Sequence, residues 1–169
     1  MDLLPEIARR VSIRKYSDEP LSDQQIERIV EAGRQAPSAK NRQAWRFIVV
    51  RDPDTRKGLE SAAFGQEYIG QAPVTIALCT TNVEYKMPNG QLSYPIDLAF
   101  AAAFMLVQAE HEGLGACVVT TFNEQEVKTL LSVPYSMRVV MLLVAGYPDE
   151  SPERPARHPF KRVVAYEHW

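Results

Sequence analysis

The segment from Leu98 to Val107 contains no polar side chain. A helix that crosses a membrane needs roughly 20 such residues, so a run of this length has to find apolar surroundings inside a folded protein. Taken with its flanks, Asp97 to Glu112 reads as a helix that is apolar nearly all round, the pattern of a helix enclosed by other elements. Gly113 stands where such a helix stops. A second apolar stretch, Met137 to Val144, is almost uninterrupted and is expected as a central strand. Periodicity alone therefore suggests a parallel α/β protein.

The other elements follow from local chemistry. Leu3 to Arg10 suggests a short helix, with Asp2 as its N-cap and Pro5 tolerated in the first turn. Ser22 and Gln25 have capping-box spacing, Leu21 can staple onto Ile26, and Ile26, Ile29, Val30 and Gly33 share the face of a helix that Pro37 stops. Trp45 to Val50 is expected as a strand bounded by Asp52-Pro53, with Trp45 in the core, followed by a short helix from about Asp54 to Ala63 and a joint at Gly65. Val74 to Cys79 is the second strand, and Asn82 to Pro95 is a loop with the turn signal Pro88-Asn89-Gly90. Ala116 to Val119 is the third strand, and Asn123 with Glu126 is expected to form a second capping box opening a helix through Leu131. The tail from Gly146 to Pro159 is proline-rich and irregular, and Val163 to Tyr166 reads as a last strand that must find a sheet edge. At 169 residues, 46% hydrophobic and 24% charged, the chain is expected to form one globular domain over residues 1–169.

A formal net charge of -2 argues against a nucleic-acid backbone as partner, so any basic site is local. One such place is Arg9-Arg10-Val11-Ser12-Ile13-Arg14, where three guanidiniums and a hydroxyl gather at the end of a short helix. An anionic ligand explains them; the duller reading is a set of helix-terminal charges answering the macrodipole, and Arg9 fits that reading best. Cys79 and Cys117 lie in apolar strands without metal-ligand spacing and are expected as buried hydrophobes. His111, His158 and His168 have no second ligand at useful spacing, so no metal is expected. Gly113-x-Gly115 follows a helix instead of a strand and is no dinucleotide fingerprint. The first residues show no basic, apolar export signal, which makes the cytoplasm the expected location.

In order and spacing, several segments together resemble the FMN-dependent nitroreductase family: Arg-Arg-x-Ser-x-Arg, then Pro37-Ser38-Ala39-Lys40-Asn41-Arg42-Gln43-Ala44-Trp45, Gly65-Gln66 before Ala72-Pro73, the Asp97-led helix ending Gly113-Leu114-Gly115, Thr120-Thr121-Phe122-Asn123, Gly146-Tyr147-Pro148 and Arg157-His158-Pro159. The likeness implies an α+β fold with a mixed sheet of about five strands between helices. It implies a homodimer in which an arm from about residue 146 to 169 carries the C-terminal strand into the partner's sheet. It implies FMN as cofactor, NADH or NADPH as electron donor, and ping-pong reduction of nitroaromatics, quinones or similar acceptors. By the same likeness Arg10 and Ser12 hold the FMN phosphate with Arg157, Val11 between them is a further cofactor-binding position, and Arg14 lies near the ribityl chain and the pyrimidine edge of the flavin. Pro37, Ser38, Ala39 and Asn41 are implied to touch the flavin of the other subunit, and Gln66 is a further amide contact. Val118 and Val119 lead to Thr120 and Thr121, whose backbone N–H groups are implied to face flavin N5 and O4. No side chain is expected as catalytic acid, base or nucleophile, because the cofactor carries the chemistry. The same fold also hosts reductive dehalogenation, azoline oxidation, flavin destruction and flavin binding without turnover, and a short Asn82–Pro95 loop implies an open pocket with broad acceptor use. Tyr85 and Tyr94 flank that loop and can line a pocket or a dimer contact.

Overall fold

The computed structural model describes residues 2–169. Its helices are α1 (Pro5–Arg9), α2 (Asp23–Arg34), α3 (Pro53–Ala62), α4 (Glu67–Gln71), α5 (Ser93–His111), α6 (Glu124–Leu130) and α7 (Phe160–Val163). Its strands are β1 (Trp45–Val50), β2 (Val74–Thr80), β3 (Gly115–Val119) and β4 (Arg138–Gly146), paired in the order β1-β2-β4-β3. Every neighbouring pair is antiparallel, which corrects the parallel sheet that periodicity suggests. Apolar continuity reports burial on two faces, and helices cover both faces of this antiparallel sheet. Val74, Ile76 and Leu78 of β2 pack on one side with Ile26 and Ile29 of α2 and Ala101, Ala102, Met105 and Ala109 of α5. Ala77 and Cys79 point to the other side, against Leu59 of α3, Ile69 of α4 and Val127 of α6. The fold is α+β, with β4 central as its apolar run requires.

Local signals explain most of the boundaries. Ser22 Oγ accepts the Gln25 N–H and the Gln25 side chain accepts the Ser22 N–H, which closes the expected capping box. Asn123 caps α6 by accepting the Gln125 and Glu126 N–H groups, while Glu126 accepts from the Asn123 amide and not from its backbone. Asp2 does not cap α1; Leu4 holds the N-cap position with no side-chain bond, and Pro5 opens the helix, where its missing N–H costs nothing. α5 starts at Ser93, a turn earlier than its apolar run, because Pro95 falls in the first turn, where proline is compatible with a helix.

Three expectations change. α4 was not foreseen, since its five residues are too few to show a period. Val163 to Tyr166 is no strand among the described residues: Phe160–Val163 forms one helical turn, leaving four strands instead of about five. Valines and tyrosine favour a strand only where a neighbouring strand supplies the ladder, and within one chain the arm has none. α5 is not enclosed either. Its residues Phe100 and Phe104 are 46% and 44% exposed, so one face of an all-apolar helix lies bare in the single chain.

Candidate functional site

The segment after α1 runs beside the outer edge of β3. Ser12 forms a parallel bridge with Ala116, and the Ile13 N–H donates to the Ala116 carbonyl at 3.2 Å. Close approach is possible because residue 115 is glycine: a Cβ there would stand 2.6 Å from Ile13 Cγ1. Ile13 is buried, and the phenol of buried Tyr16 donates to the Ile13 carbonyl. Burial of this phenol pushes its ionisation far upward, so it remains a donor at any physiological pH.

The beginning of the C-terminal arm pairs with the same segment from the other side. Ser17 N–H donates to Tyr147 O at 3.0 Å, Asp149 N–H donates to Lys15 O at 2.9 Å, and the Glu150 carboxylate accepts the backbone N–H groups of Arg14 and Lys15. Further along, Arg154 Nη2 donates to Ile7 O at 3.2 Å and ties the arm to α1. These contacts enclose a cavity of about 240 Å³ lined by Arg10, Val11, Ser12, Arg14, Pro152, Glu153, Pro155 and Arg157. Residues separated by most of the chain thus meet around one hole. Arg10, Arg14 and Arg157 form no ion pair with a carboxylate among the described residues, which leaves three guanidiniums and the Ser12 hydroxyl available to a phosphate. Arg9, in contrast, stands 3.5 Å from Glu110 and is 64% exposed, as the duller reading has it.

Cys117 lies buried behind this segment. Burial raises its thiol pKa, with Arg14, the Ser12 hydroxyl and Arg10 opposing, and the residue stays a neutral hydrophobe. Burial likewise pushes the Cys79 thiol up to about 11. Neither cysteine serves as a nucleophile in that state. No group of three metal-ligating side chains occurs among the described residues.

Val118 and Val119 complete β3 and lead into exposed Thr120 and Thr121, whose N–H groups have no acceptor among the described residues. The position of Thr121 is fixed by Gln66: Gln66 Nε2 donates to Thr121 O at 2.9 Å and to Ala63 O at 3.0 Å, while its Oε1 accepts from the Tyr68 hydroxyl at 2.6 Å. The amide of Gln66 is engaged at both ends within the single chain.

Pro37, Ser38, Ala39 and Asn41 lie on a separate turn. Lys40, Asn41 and Gln43 all have left-handed backbones, at φ 52°, 53° and 51°, a conformation costing roughly 1–2 kcal/mol for each such residue. The turn persists because it is over-determined. Buried Asp97 accepts the Ala39 N–H at 2.8 Å, Ser38 Oγ accepts the Gln43 N–H at 3.0 Å, and the Ala44 carbonyl accepts the Thr81 N–H at 2.8 Å. Ala44 is pinned there by hydrogen bonds to its carbonyl. Strain held at such a turn is a mark of a functional segment. Among the described residues no hydrogen bond joins this turn to the arginine cavity.

Asp97, Glu150 and Gln66 as positioning groups escaped sequence reading. Asp97 was the visible one, a lone carboxylate opening a helix that is otherwise apolar. Glu150 and Gln66 act through backbone atoms, which leave no pattern in a single sequence. Of the two loop tyrosines, Tyr94 accepts from Arg138 Nη1 at 3.3 Å, and Tyr85 stacks with Arg42.

Comparison with known proteins agrees with this arrangement. The chain is 30% identical to a protein named NADH dehydrogenase from Thermus thermophilus, over 98% of this chain and 96% of that one. It is also 30% identical to the FMN reductase [NAD(P)H] of Bacillus subtilis, over 91% of this chain and 69% of the relative. Its structure superposes on the NADPH:FMN oxidoreductase of Vibrio harveyi, solved with NAD+, with a TM-score of 0.88 at 27% identity, covering 97% of this chain and 76% of that one. The Nitroreductase family matches residues 7–67 and 60–147, a span that holds the arginine segment, the strained turn and the Thr120-Thr121 corner and stops short of Arg157. With the sequence match running through each of these places and the fold shared, the chain belongs to the nitroreductase family.

Proposed function

We propose that this chain is the protomer of a homodimeric, FMN-dependent NAD(P)H oxidoreductase that reduces nitroaromatics, quinones or similar electron-poor acceptors. The observation that carries the reading is the meeting of Arg10, Ser12, Arg14 and Arg157 around one cavity of about 240 Å³. Pockets that take a whole drug-sized ligand run to roughly 300–1,000 Å³, so this cavity suits the phosphate end of FMN and not the entire molecule. Thr120 and Thr121 would meet the part of the flavin beyond the phosphate, and a second copy would supply the remaining wall. The strained turn at Pro37–Asn41 is that wall: it is built rigidly yet stands apart from the arginine cavity of its own chain.

The second copy is also called for by the bare face of α5 and by the arm. Phe160, Val163, Tyr166 and Trp169 are 57%, 64%, 76% and 115% exposed, an arrangement that suits a partner's surface. Of the two sheet edges, β3 is occupied by Ser12 and Ile13, whereas β1 is open and adjoins a groove along α2 lined by Ile26, Val30 and Val49. The arm beyond His158 crosses to that edge in the dimer.

When bound, FMN supplies hydride acceptance at N5 and return of the electrons to an acceptor. Arg10, Ser12 and Arg157 anchor the phosphate with directed donors. Arg14, positioned through its backbone by Glu150, would place a positive charge beside the bound flavin. The N–H groups of Thr120 and Thr121, held in place by Gln66, present donors to the reactive edge. The loop between β2 and α5 is tied to itself, with Met87 N–H on Gln91 O at 2.8 Å and a bridge between Lys86 and Leu92. A compact loop of this kind leaves the acceptor side open, which suits broad acceptor use.

An absorbance spectrum of the purified protein, followed by anaerobic mixing with NADH and with NADPH, tests the reading. A yellow dimer whose flavin band bleaches supports it. Protein that is colourless, monomeric and unable to take up added FMN refutes it, and a yellow dimer that neither nicotinamide bleaches leaves a flavin carrier in place of an enzyme.

A further inference from the structure

Lys40 and Arg42 have no part in the site described so far, yet both stand against one ring. The guanidinium carbon of Arg42 is 4.0 Å from the centroid of Tyr85, and Lys40 Nζ is 5.6 Å from the same point. Neither cation forms an ion pair with a carboxylate among the described residues. Two like charges are therefore gathered beside one ring with no ion-pair partner among the described residues, and the quadrupole of a single ring offsets only part of their repulsion. Their backbone is fixed by the left-handed residues of the turn and by the bond from Ala39 to Asp97. Tyr85 is fixed as well, its N–H donating to Asn82 Oδ1 and its carbonyl accepting from Ser93, both at 3.1 Å. A rigid cluster of this kind loses little freedom when a ligand arrives.

We propose that Lys40, Arg42 and Tyr85 form the subsite for the adenosine 2′-phosphate end of NADPH and give the enzyme its preference for NADPH over NADH. The proposal rests on the flavin reading above, which puts Asn41, between the two cations, against the cofactor. The two coenzymes differ only by the 2′-phosphate, a monoester with a charge near −2 at neutral pH. Arg42 offers paired planar donors to its oxygens, Lys40 a mobile point charge, and the neighbouring adenine finds the aromatic surface of Tyr85. The pyrophosphate present in both coenzymes carries related chemistry, and selectivity measurements separate the two.

The test uses the yellow holoenzyme. Rates with NADPH and NADH are compared for the wild type, for a Lys40→Ala/Arg42→Ala double variant and for a charge-conserving Lys40→Arg/Arg42→Lys variant. Adenosine 2′,5′-bisphosphate and ADP are titrated calorimetrically into each oxidised protein. The wild type should favour NADPH, and the double alanine variant, with its flavin retained, should lose at least about tenfold in the ratio of kcat/KM for NADPH to that for NADH. Binding of adenosine 2′,5′-bisphosphate should weaken in parallel, and the charge-conserving variant should recover most of both. An equal loss for the two coenzymes would assign the cations to the shared pyrophosphate and overturn the proposal, as would an unchanged ratio. Loss of flavin from the double variant would overturn it too, since the cations would then be serving the flavin. A wild type that takes up no FMN would instead bring down the underlying reading and the subsite with it.

Discussion

Replacing Arg10 with alanine isolates the phosphate anchor, provided that the ligand is varied together with the protein. A guanidinium about 4 Å from a unit negative charge, at an effective dielectric near 20, interacts by roughly 4 kcal/mol before either partner is desolvated. Arg10 is half-buried at the wall of the cavity, and hydrogen bonds to charged groups retain about 1.5–3 kcal/mol after desolvation, so Arg10→Ala should weaken FMN by roughly 10- to 150-fold. Arg10→Lys keeps the charge but loses the paired donors and should fall between. Riboflavin has the same ring and ribityl chain without the phosphate, so its affinity should be nearly the same for both proteins. The assay is quenching of flavin fluorescence during titration of the stripped apoprotein, giving four dissociation constants in a cycle of two proteins and two ligands. If riboflavin loses as much as FMN, Arg10 supports the fold or the ring instead of the phosphate. If FMN loses nothing, the cavity is not the phosphate site.

Other perturbations read other parts of the structure. Glu153 lines the same cavity and repels a phosphate, so Glu153→Gln should tighten FMN several-fold in the same titration. Gly115→Ala puts a methyl group 2.6–2.9 Å from three side-chain carbons of Ile13; overpacking of this kind costs about 1–3 kcal/mol, and both the denaturant midpoint and flavin content should fall. Phe104→Glu places a charge on the bare face of α5 and should give a colourless monomer by sedimentation, whereas a yellow dimer would exclude that face as the interface. The Glu124 carboxyl feels burial, which raises its pKa, but the Arg138 guanidinium and the Val139 N–H outweigh it and hold the pKa below its ordinary 4.5. A depressed carboxylate stabilises above its unfolded pKa and loses that stabilisation as pH falls through the folded one. The difference in melting temperature between wild type and Glu124→Gln should thus persist at neutral pH and shrink below about pH 4.5.

Much of this fold was legible where a rule acts over short range. A capping box at Ser22 and a side-chain N-cap at Asn123 marked helix starts because their hydrogen bonds close within a single turn. Continuous apolar runs marked the buried strands but not their direction, since burial on two faces writes the same residues into parallel and antiparallel sheets. The tail forms no strand in the single chain for a related reason: Val163, Val164 and Tyr166 state a preference that only a neighbouring strand can satisfy. For the candidate site, composition and spacing drew attention to Arg10, Ser12 and Arg14, but nothing local tied them to Arg157. Only the family likeness implied that link, and pairing of residues 147–150 with 14–17 accomplishes it through two backbone bonds and the Glu150 carboxylate. Gln66 shows the opposite limit. Its amide is a plausible ligand by chemistry alone, while its actual partners, the carbonyls of Ala63 and Thr121, are set by tertiary placement.

The arrangement in which both ends of the polypeptide border the arginine cavity has a consequence for how the apoprotein behaves. A phosphate seated between Arg10 and Arg157 would clip the leading and trailing segments together without a covalent link, so cofactor loading and protection of the termini should rise as one process. Because a ligand that binds only the closed form stabilises it in proportion to its concentration, protease cuts within residues 150–158 should disappear as FMN is added, at concentrations set by its dissociation constant.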